Sequence, residues 1–253
     1  MQGLATSGIA LIVAGLVVGP VAADPLAVSP QTIPVTILGV DVSLPVSGQV
    51  DVHTEAGKFV VKAHVTANLA DLQAKALQIA KAIKLPTDRC ANKNGANAVV
   101  DSIDDAALAA DGHNVKLSLA GEVSGYACLA HVGYTDLGSG QVRASAAVKI
   151  AIAEGKTIGL ALDGPVSVDG DGVAGKVIGL LHDQVSSSIT DAVAKALDTS
   201  KAKAAFPNLP EVDLVIENAQ FFAEDKTLML EGDAMATMTA DAFATLLSQL
   251  QKH

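Results

Sequence analysis

The chain has 253 residues, of which 50% are apolar and 17% are charged, so it can bury the core of one large globular domain or two smaller ones. Its net charge of −10, without any Lys/Arg cluster, argues against nucleic acid and anionic lipid head groups as partners. Aromatic residues make up only 3% and Trp is absent, which argues against surfaces that stack bases or sugars.

Residues 1–23 are predicted to be a signal peptide. Ile9–Val18 is an apolar segment of suitable length, and Val21–Ala23 offers small residues for cleavage before Asp24. A retained membrane anchor is the alternative, but Gly19 and Pro20 fit a spanning helix poorly. The segment therefore predicts an exported protein, periplasmic or secreted.

An antiparallel hairpin is predicted after this segment. Two runs of alternating apolar and polar residues flank a turn at Glu55–Lys58. Pairing across the turn sets Val52 opposite Val61 and Asp51 opposite Lys62, which gives the hairpin one apolar face.

A helix is predicted next, ending before Pro86. Its apolar residues are spaced by three and four, which places them on one face. The residues of this stripe are Leu69, Leu72, Ala76, Ile79 and Ile83.

The same order of elements recurs downstream. Val148–Leu162 predicts a second hairpin, and a longer amphipathic helix follows whose stripe includes Val177, Leu181, Val185 and Ile189. The segments Ile103–Glu122 and Ile216–Asp233 align as the hairpins after each helix. We therefore expect an α+β fold of two tandem repeats, residues 34–132 and 142–253, each a twisted antiparallel sheet packed on an amphipathic helix. Residues 133–141 are expected to link them, and a short C-terminal helix is expected to end the second.

A glycine-rich stretch at Val166–Leu181 has the spacing of a dinucleotide-binding turn and two Asp residues spaced as in calcium loops. The dinucleotide interpretation lacks parallel strands and a following strand at the required distance. The calcium interpretation finds only two candidate ligands, Asp169 and Asp171, whereas a calcium loop supplies more oxygen ligands than that. A turn followed by a helix start is the simpler interpretation, so no nucleotide or metal is expected there.

The remaining polar residues predict no catalytic centre. His53 and His64 lie on paired strands without a visible third zinc ligand, and the Gly-x-Ser-x-Gly motif does not occur. No cofactor is expected. The two cysteines, Cys90 and Cys128, are predicted to form one disulfide in an exported chain, with Cα atoms within about 7 Å.

The predicted hairpin–helix–hairpin repeats resemble the tubular lipid-binding superfamily, which includes bactericidal/permeability-increasing-type and synaptotagmin-like mitochondrial-lipid-binding domains. The resemblance covers most of residues 34–240 and rests on architecture and pattern, in particular the segments "LADLQAKALQIAKAI" and "GKVIGLLHDQVSSSITDAVAKAL". It implies a helix packed in the concave face of a twisted sheet, with a lipid between them. The first helix is shorter than that family's long helix.

Some of the predicted apolar faces are not covered by the other element of their own repeat. These faces lead to the functional hypotheses. We expect a non-catalytic carrier or binder of a lipid or another hydrophobic small molecule. An envelope protein with a filled core and a protein partner is the alternative, and an unrecognised enzyme is a third. For a lipid binder, the ligand-binding residues are predicted on the two helix stripes. They are Leu72, Ile79, Ile83, Val177, Leu181, Val185 and Ile189.

Overall fold

The computed structural model of the chain describes residues 25–83, 85, 87–91, 95–129, 132–155, 157–170, 190, 204–205 and 211–250. The predicted signal peptide lies outside these residues. So do Val177, Leu181, Val185 and Ile189 of the second predicted helix.

Most of the described residues lie in antiparallel β-strands. The strands are β1 (Leu26–Ile37), β2 (Val40–Glu55), β3 (Lys58–Asn68), β4 (Gly95–Asp111), β5 (Asn114–Leu129), β6 (Gly133–Ala153), β7 (Thr157–Leu162), β8 (Ser167–Gly170), β9 (Ala204–Ala205), β10 (Val212–Glu224) and β11 (Thr227–Met238). The helices are α1 (Ala70–Ala74), α2 (Ala76–Lys81) and α3 (Ala240–Leu250). The predicted α+β class, with each sheet packed on an amphipathic helix, is therefore wrong. The described part is mainly β, with two sheets and three short helices.

The first predicted helix is interrupted, which explains part of this difference. It divides into α1 and α2 at Lys75, whose φ of −99° and ψ of 6° lie in the bridge region rather than the helical one. The Lys75 Nζ donates to the Asp41 carbonyl oxygen at 2.7 Å and to Asp71 Oδ2 at 2.9 Å. In α2 the buried side chains are the small Ala76 and Ala80. The spacing of apolar residues identified the helical segment but could not reveal this break.

The two sheets combine hairpins from distant parts of the chain. The first sheet has the strand order β1-β2-β3-β11-β10, and the second has the order β4-β5-β6-β7-β9 with β8 paired to β6. The aligned segments Ile103–Glu122 and Ile216–Asp233 both lie in hairpins, but in different sheets. Residues 133–141, expected to be a linker, form the start of β6 and pair with β5. Each sheet therefore contains strands from both predicted repeats.

The β2–β3 hairpin has the register predicted from the sequence. Val52 pairs with Val61, and Asp51 pairs with Lys62. The turn residue Gly57 has a φ of 77° and the residue before it a φ of 49°. Two successive positive φ values are typical of the two-residue type I′ turn, whose twist matches that of the flanking strands.

The two sheets meet at a shared apolar core. Strands β3, β5 and β10 contribute Ala67, Val115 and Phe221 to it, and Leu228 of β11 is buried beside them. The Phe221 N–H donates to the His113 carbonyl oxygen in the β4–β5 turn at 3.2 Å. The second sheet has a separate buried cluster. Its members are Val123, Val142, Ala144, Ala146, Val166 and Val168.

The disulfide bears on the predicted export. Cys90 and Cys128 form the predicted disulfide, with their Cα atoms 5.7 Å apart, and so tie the segment after α2 to the end of β5. In the part of the chain that the structure describes, no helix has both the length and the apolar character needed to span a membrane.

Gly121 is a position where β4 and β5 approach closely. A Cβ atom there would lie 2.1 Å from the Ser102 carbonyl oxygen. We expect Gly121→Ala to lower the free energy of unfolding by about 1–3 kcal/mol, because the strands must move apart. Gly232→Ala is the control, since its Cβ atom would meet the Asn218 oxygen at an ordinary 3.5 Å. Equal urea midpoints for both variants would contradict the prediction.

Candidate functional site

One face of the first sheet is apolar because of strand alternation. Successive residues of a strand point to opposite faces, so the pairing register defines which side chains share a face. Three rows of residues cross the sheet on this side. They are Leu26–Val50–Ala63–Ala234–Ile216, Val28–Gly48–Val65–Gly232–Ala219 and Gln31–Val46–Ala67–Leu230–Phe221.

The middle of this face is a depression because its central residues are small. Gly48 and Gly232 lie on either side of Val65, and Ala63 lies beside Ala234. A Cβ atom at Gly48 would be 2.6 Å from the His64 carbonyl oxygen, so the close approach of the strands there requires glycine. The glycines therefore leave Val65 as the only side chain where β2, β3 and β11 cross the central row.

The β6–β7 hairpin of the second sheet covers the depression. Its turn is tied to β10 by a hydrogen bond from the Ile216 N–H to the Gly155 carbonyl oxygen, at 2.7 Å. A partly enclosed cavity of about 360 Å³ lies between this hairpin and the first sheet. Cavities that bind small molecules span about 300–1,000 Å³ and are mostly apolar. The apolar side chains that line this one include Val46, Val50, Val65, Ile150, Ile158 and Leu230.

Three of the seven residues that were predicted to bind ligand lie in the described part of the chain. Leu72 is half-buried and packs against the core between the sheets. Ile79 is half-buried, and Ile83 lines a small space of about 50 Å³ against β4, β5 and β6. None of these three described side chains lines the larger cavity. The other four predicted residues, Val177, Leu181, Val185 and Ile189, lie outside the described residues.

The opposite face of the first sheet is polar and holds both histidines that were considered as zinc ligands, His53 and His64. His64 Nδ1 lies 2.7 Å from Asp233 Oδ1, and Thr66 Oγ1 lies 3.5 Å from His64 Nε2. The order Thr–His–Asp is that of a hydrolase triad. However, β3 is an inner strand, so its backbone amides are used in pairing and offer no oxyanion hole. Over the described residues, no three His, Cys, Asp or Glu side chains are grouped as a metal site requires.

The glycine-rich stretch begins on β8, which pairs antiparallel with β6. Val142 of β6 lies opposite Gly170, and Arg143 lies opposite Asp169. A dinucleotide-binding turn follows a strand of a parallel sheet, so this setting differs from the one that such a turn needs. Asp171 and the later glycines of the stretch lie outside the described residues.

Two carboxylates, one half-buried and one exposed, are held in the charged form by local hydrogen bonds. The pKa of Asp71 is lowered, first by the Ser43 N–H and then by Lys75. The pKa of Asp163 is lowered by Lys149, which donates a hydrogen bond at 2.8 Å, and by Asn114. Neither group lines the cavity. Asp71 bonds to the start of β2, and Asp163 bonds to β5 and β6. These bonds hold neighbouring elements together and do not form a charged binding site.

No protein-family model matches the sequence, and a search of curated proteins found no match. We therefore infer the function from the geometry of the chain itself.

Proposed function

We propose that the protein is an exported, non-catalytic binder or carrier of a lipid or another hydrophobic small molecule. The observation that carries this proposal is the cavity of about 360 Å³ between the apolar face of the first sheet and the β6–β7 hairpin. An apolar ligand gains free energy there by leaving water, at roughly 25 cal/mol for each Å² of its apolar surface that is buried.

The composition of the cavity lining supports an apolar ligand rather than a charged one. Parts of His64, Glu231 and Asp233 also border the cavity. Strand alternation turns the side chains of His64 and Asp233 toward the outer face of the sheet, whereas Ala63 and Ala234 face the cavity. A ligand with a charged group buried in this space would need a partner for that charge. The apolar part of the ligand is therefore the part that the cavity would hold.

The proposal keeps the ligand class that the resemblance to the tubular lipid-binding superfamily implies, but changes where the ligand lies. In that family the ligand lies between a helix and a sheet. Here we place it between two β-layers, because α1 and α2 are short and Leu72, Ile79 and Ile83 do not line the cavity. Export is supported by the Cys90–Cys128 disulfide, since such bonds persist mainly in oxidising compartments.

Titration with a fluorescent fatty acid tests this proposal. We expect the probe to gain emission in an apolar environment and to saturate at one molecule per chain. An unlabelled fatty acid should displace it, and a charged water-soluble dye without an acyl chain should give no saturable signal. An absence of saturable uptake by the folded, delipidated protein would favour the alternative, an envelope protein whose core is filled.

A further inference from the structure

The end of the β5–β6 hairpin carries a cluster of exposed apolar side chains, which we call the apolar tip. Leu129, Val132, Tyr134 and Leu137 are 63%, 81%, 50% and 37% exposed. They are four of the seven exposed large apolar residues in the described part of the chain, and they lie within nine positions. Isolated exposed apolar residues are ordinary on protein surfaces, whereas a cluster indicates an interaction site.

The base of the apolar tip is held rigidly. Cys128, at the end of β5, is bonded to Cys90. The guanidinium group of Arg89 lies 5.4 Å from the ring centre of Tyr126 and 5.2 Å from that of Tyr134. The two rings meet edge to face at 5.3 Å. Arg89 also donates a hydrogen bond to the Tyr134 hydroxyl, which raises the pKa of Arg89 and keeps it charged.

The shape of the apolar tip distinguishes between two kinds of partner. Leu129 pairs with Gly133, and Tyr134 pairs with Cys128, so Leu129 and Tyr134 project from opposite faces of the hairpin. A protein partner covers one face, and a stable interface needs about 20–30 residues on each side. A lipid bilayer surrounds an inserted hairpin end on both faces, and the strength of binding scales with the apolar area that is buried. The small area and its two faces favour a bilayer.

We propose that the apolar tip inserts into the interfacial region of a zwitterionic lipid bilayer. Tyrosine is enriched at this depth, because its ring is apolar and its hydroxyl stays hydrated. Arg89, Asp88 and Asp136 are exposed beside the tip and complement the phosphate and the ammonium of a zwitterionic head group. The net charge of −10 disfavours an anionic surface.

The apolar tip is remote from the cavity. Val115, at the other end of β5, packs in the core between the sheets, and the strand from there to Leu129 runs roughly 45 Å. The membrane contact therefore does not depend on the proposed ligand binding. Fatty-acid uptake measured without vesicles should be unchanged when the tip is altered, so failure of either proposal can be recognised separately.

Flotation of the protein with phosphatidylcholine vesicles tests the proposal. We expect the unaltered protein to float with the vesicles and Val132→Asp to reduce the bound fraction about tenfold. Leu38→Asp is the matched control, because Leu38 is 43% exposed at the β1–β2 turn and its φ of 49° suits Asp. It should bind as the unaltered protein does. Phosphatidylglycerol vesicles should bind less protein than phosphatidylcholine vesicles.

A single tryptophan provides a second readout, since the natural sequence contains none. The emission of Val132→Trp should shift to shorter wavelength with phosphatidylcholine vesicles and be quenched by lipids brominated near the head group. The proposal is overturned if the protein does not float and this emission does not change. Equal binding by Val132→Asp and the unaltered protein, or stronger binding to phosphatidylglycerol, would also overturn it.

Discussion

Replacement of Ala63 by Phe should abolish fatty-acid uptake while the protein stays folded. Ala63 lies on β3 between Val50 and Ala234, on the apolar face that forms the floor of the cavity. A phenyl ring at this position would occupy the space that the ligand needs. Because the ring enters a vacant space, we expect the free energy of unfolding to change by less than about 1 kcal/mol. Probe titration and urea denaturation of the same preparation measure both effects.

Lys62→Phe is the matched control for this variant. Lys62 is the preceding residue of β3 and is exposed on the outer face of the sheet, so the same side chain there should leave uptake intact. If the cavity is filled in the native protein, Ala63→Phe should instead lower the free energy of unfolding by about 1–3 kcal/mol, as overpacking does. Unchanged uptake by Ala63→Phe would show that the probe binds elsewhere.

Loss of the disulfide should be the largest single change in stability. The Cys90–Cys128 bridge has a sequence separation of 38 residues, and closing such a loop in the unfolded chain is worth about 4 kcal/mol on the chain-entropy model. We expect Cys90→Ser together with Cys128→Ser to lower the free energy of unfolding by roughly that amount. The melting temperature should fall by about 10 °C, as measured by circular dichroism.

The single variant Cys90→Ser separates the bridge from the packing of the sulfur atoms. Either substitution breaks the bridge, so Cys90→Ser alone should cost nearly as much as the double variant. Cys128 is 2% exposed, so a hydroxyl at that position adds a smaller cost from burial of a polar group. Two small and additive effects would mean that the bridge contributes little to stability.

The sequence predicted those parts of the fold that local pairing determines. The β2–β3 register follows from a short turn and an apolar period of two, both visible within residues 40–67. The disulfide followed from the presence of two cysteines in a chain expected to be exported. Both features can be predicted without knowing which hairpins are neighbours in the sheets.

The assembly of the sheets could not be predicted from the same pattern. β11 pairs with β3 across more than 150 residues, and many strands of this chain offer the same alternation of small apolar and polar residues. An edge strand can accept any such neighbour, so periodicity does not identify its partner. The repeats therefore suggested two separate units, whereas each sheet contains strands from both.

The candidate site depended on this unpredicted pairing. Gly48 and Gly232 face the same side because β2, β3 and β11 are neighbours, and only then do they form one depression. The available signal was glycine inside an otherwise apolar strand, which indicates a close approach of two backbones or of a ligand. The three-and-four spacing of the helix stripe predicted Leu72, Ile79 and Ile83 as the binding residues instead of these glycines.

Mass spectrometry of an organic extract measures whether the exported protein carries a hydrophobic compound in its cavity. The protein should be purified in its exported form without detergent, extracted, and compared with Ala63→Phe prepared in the same way. We predict a hydrophobic compound near one equivalent per chain from the unaltered protein and almost none from the variant. An extract without any such compound, from protein that also fails to take up fatty acid after refolding, would mean that the protein is not a binder of hydrophobic molecules.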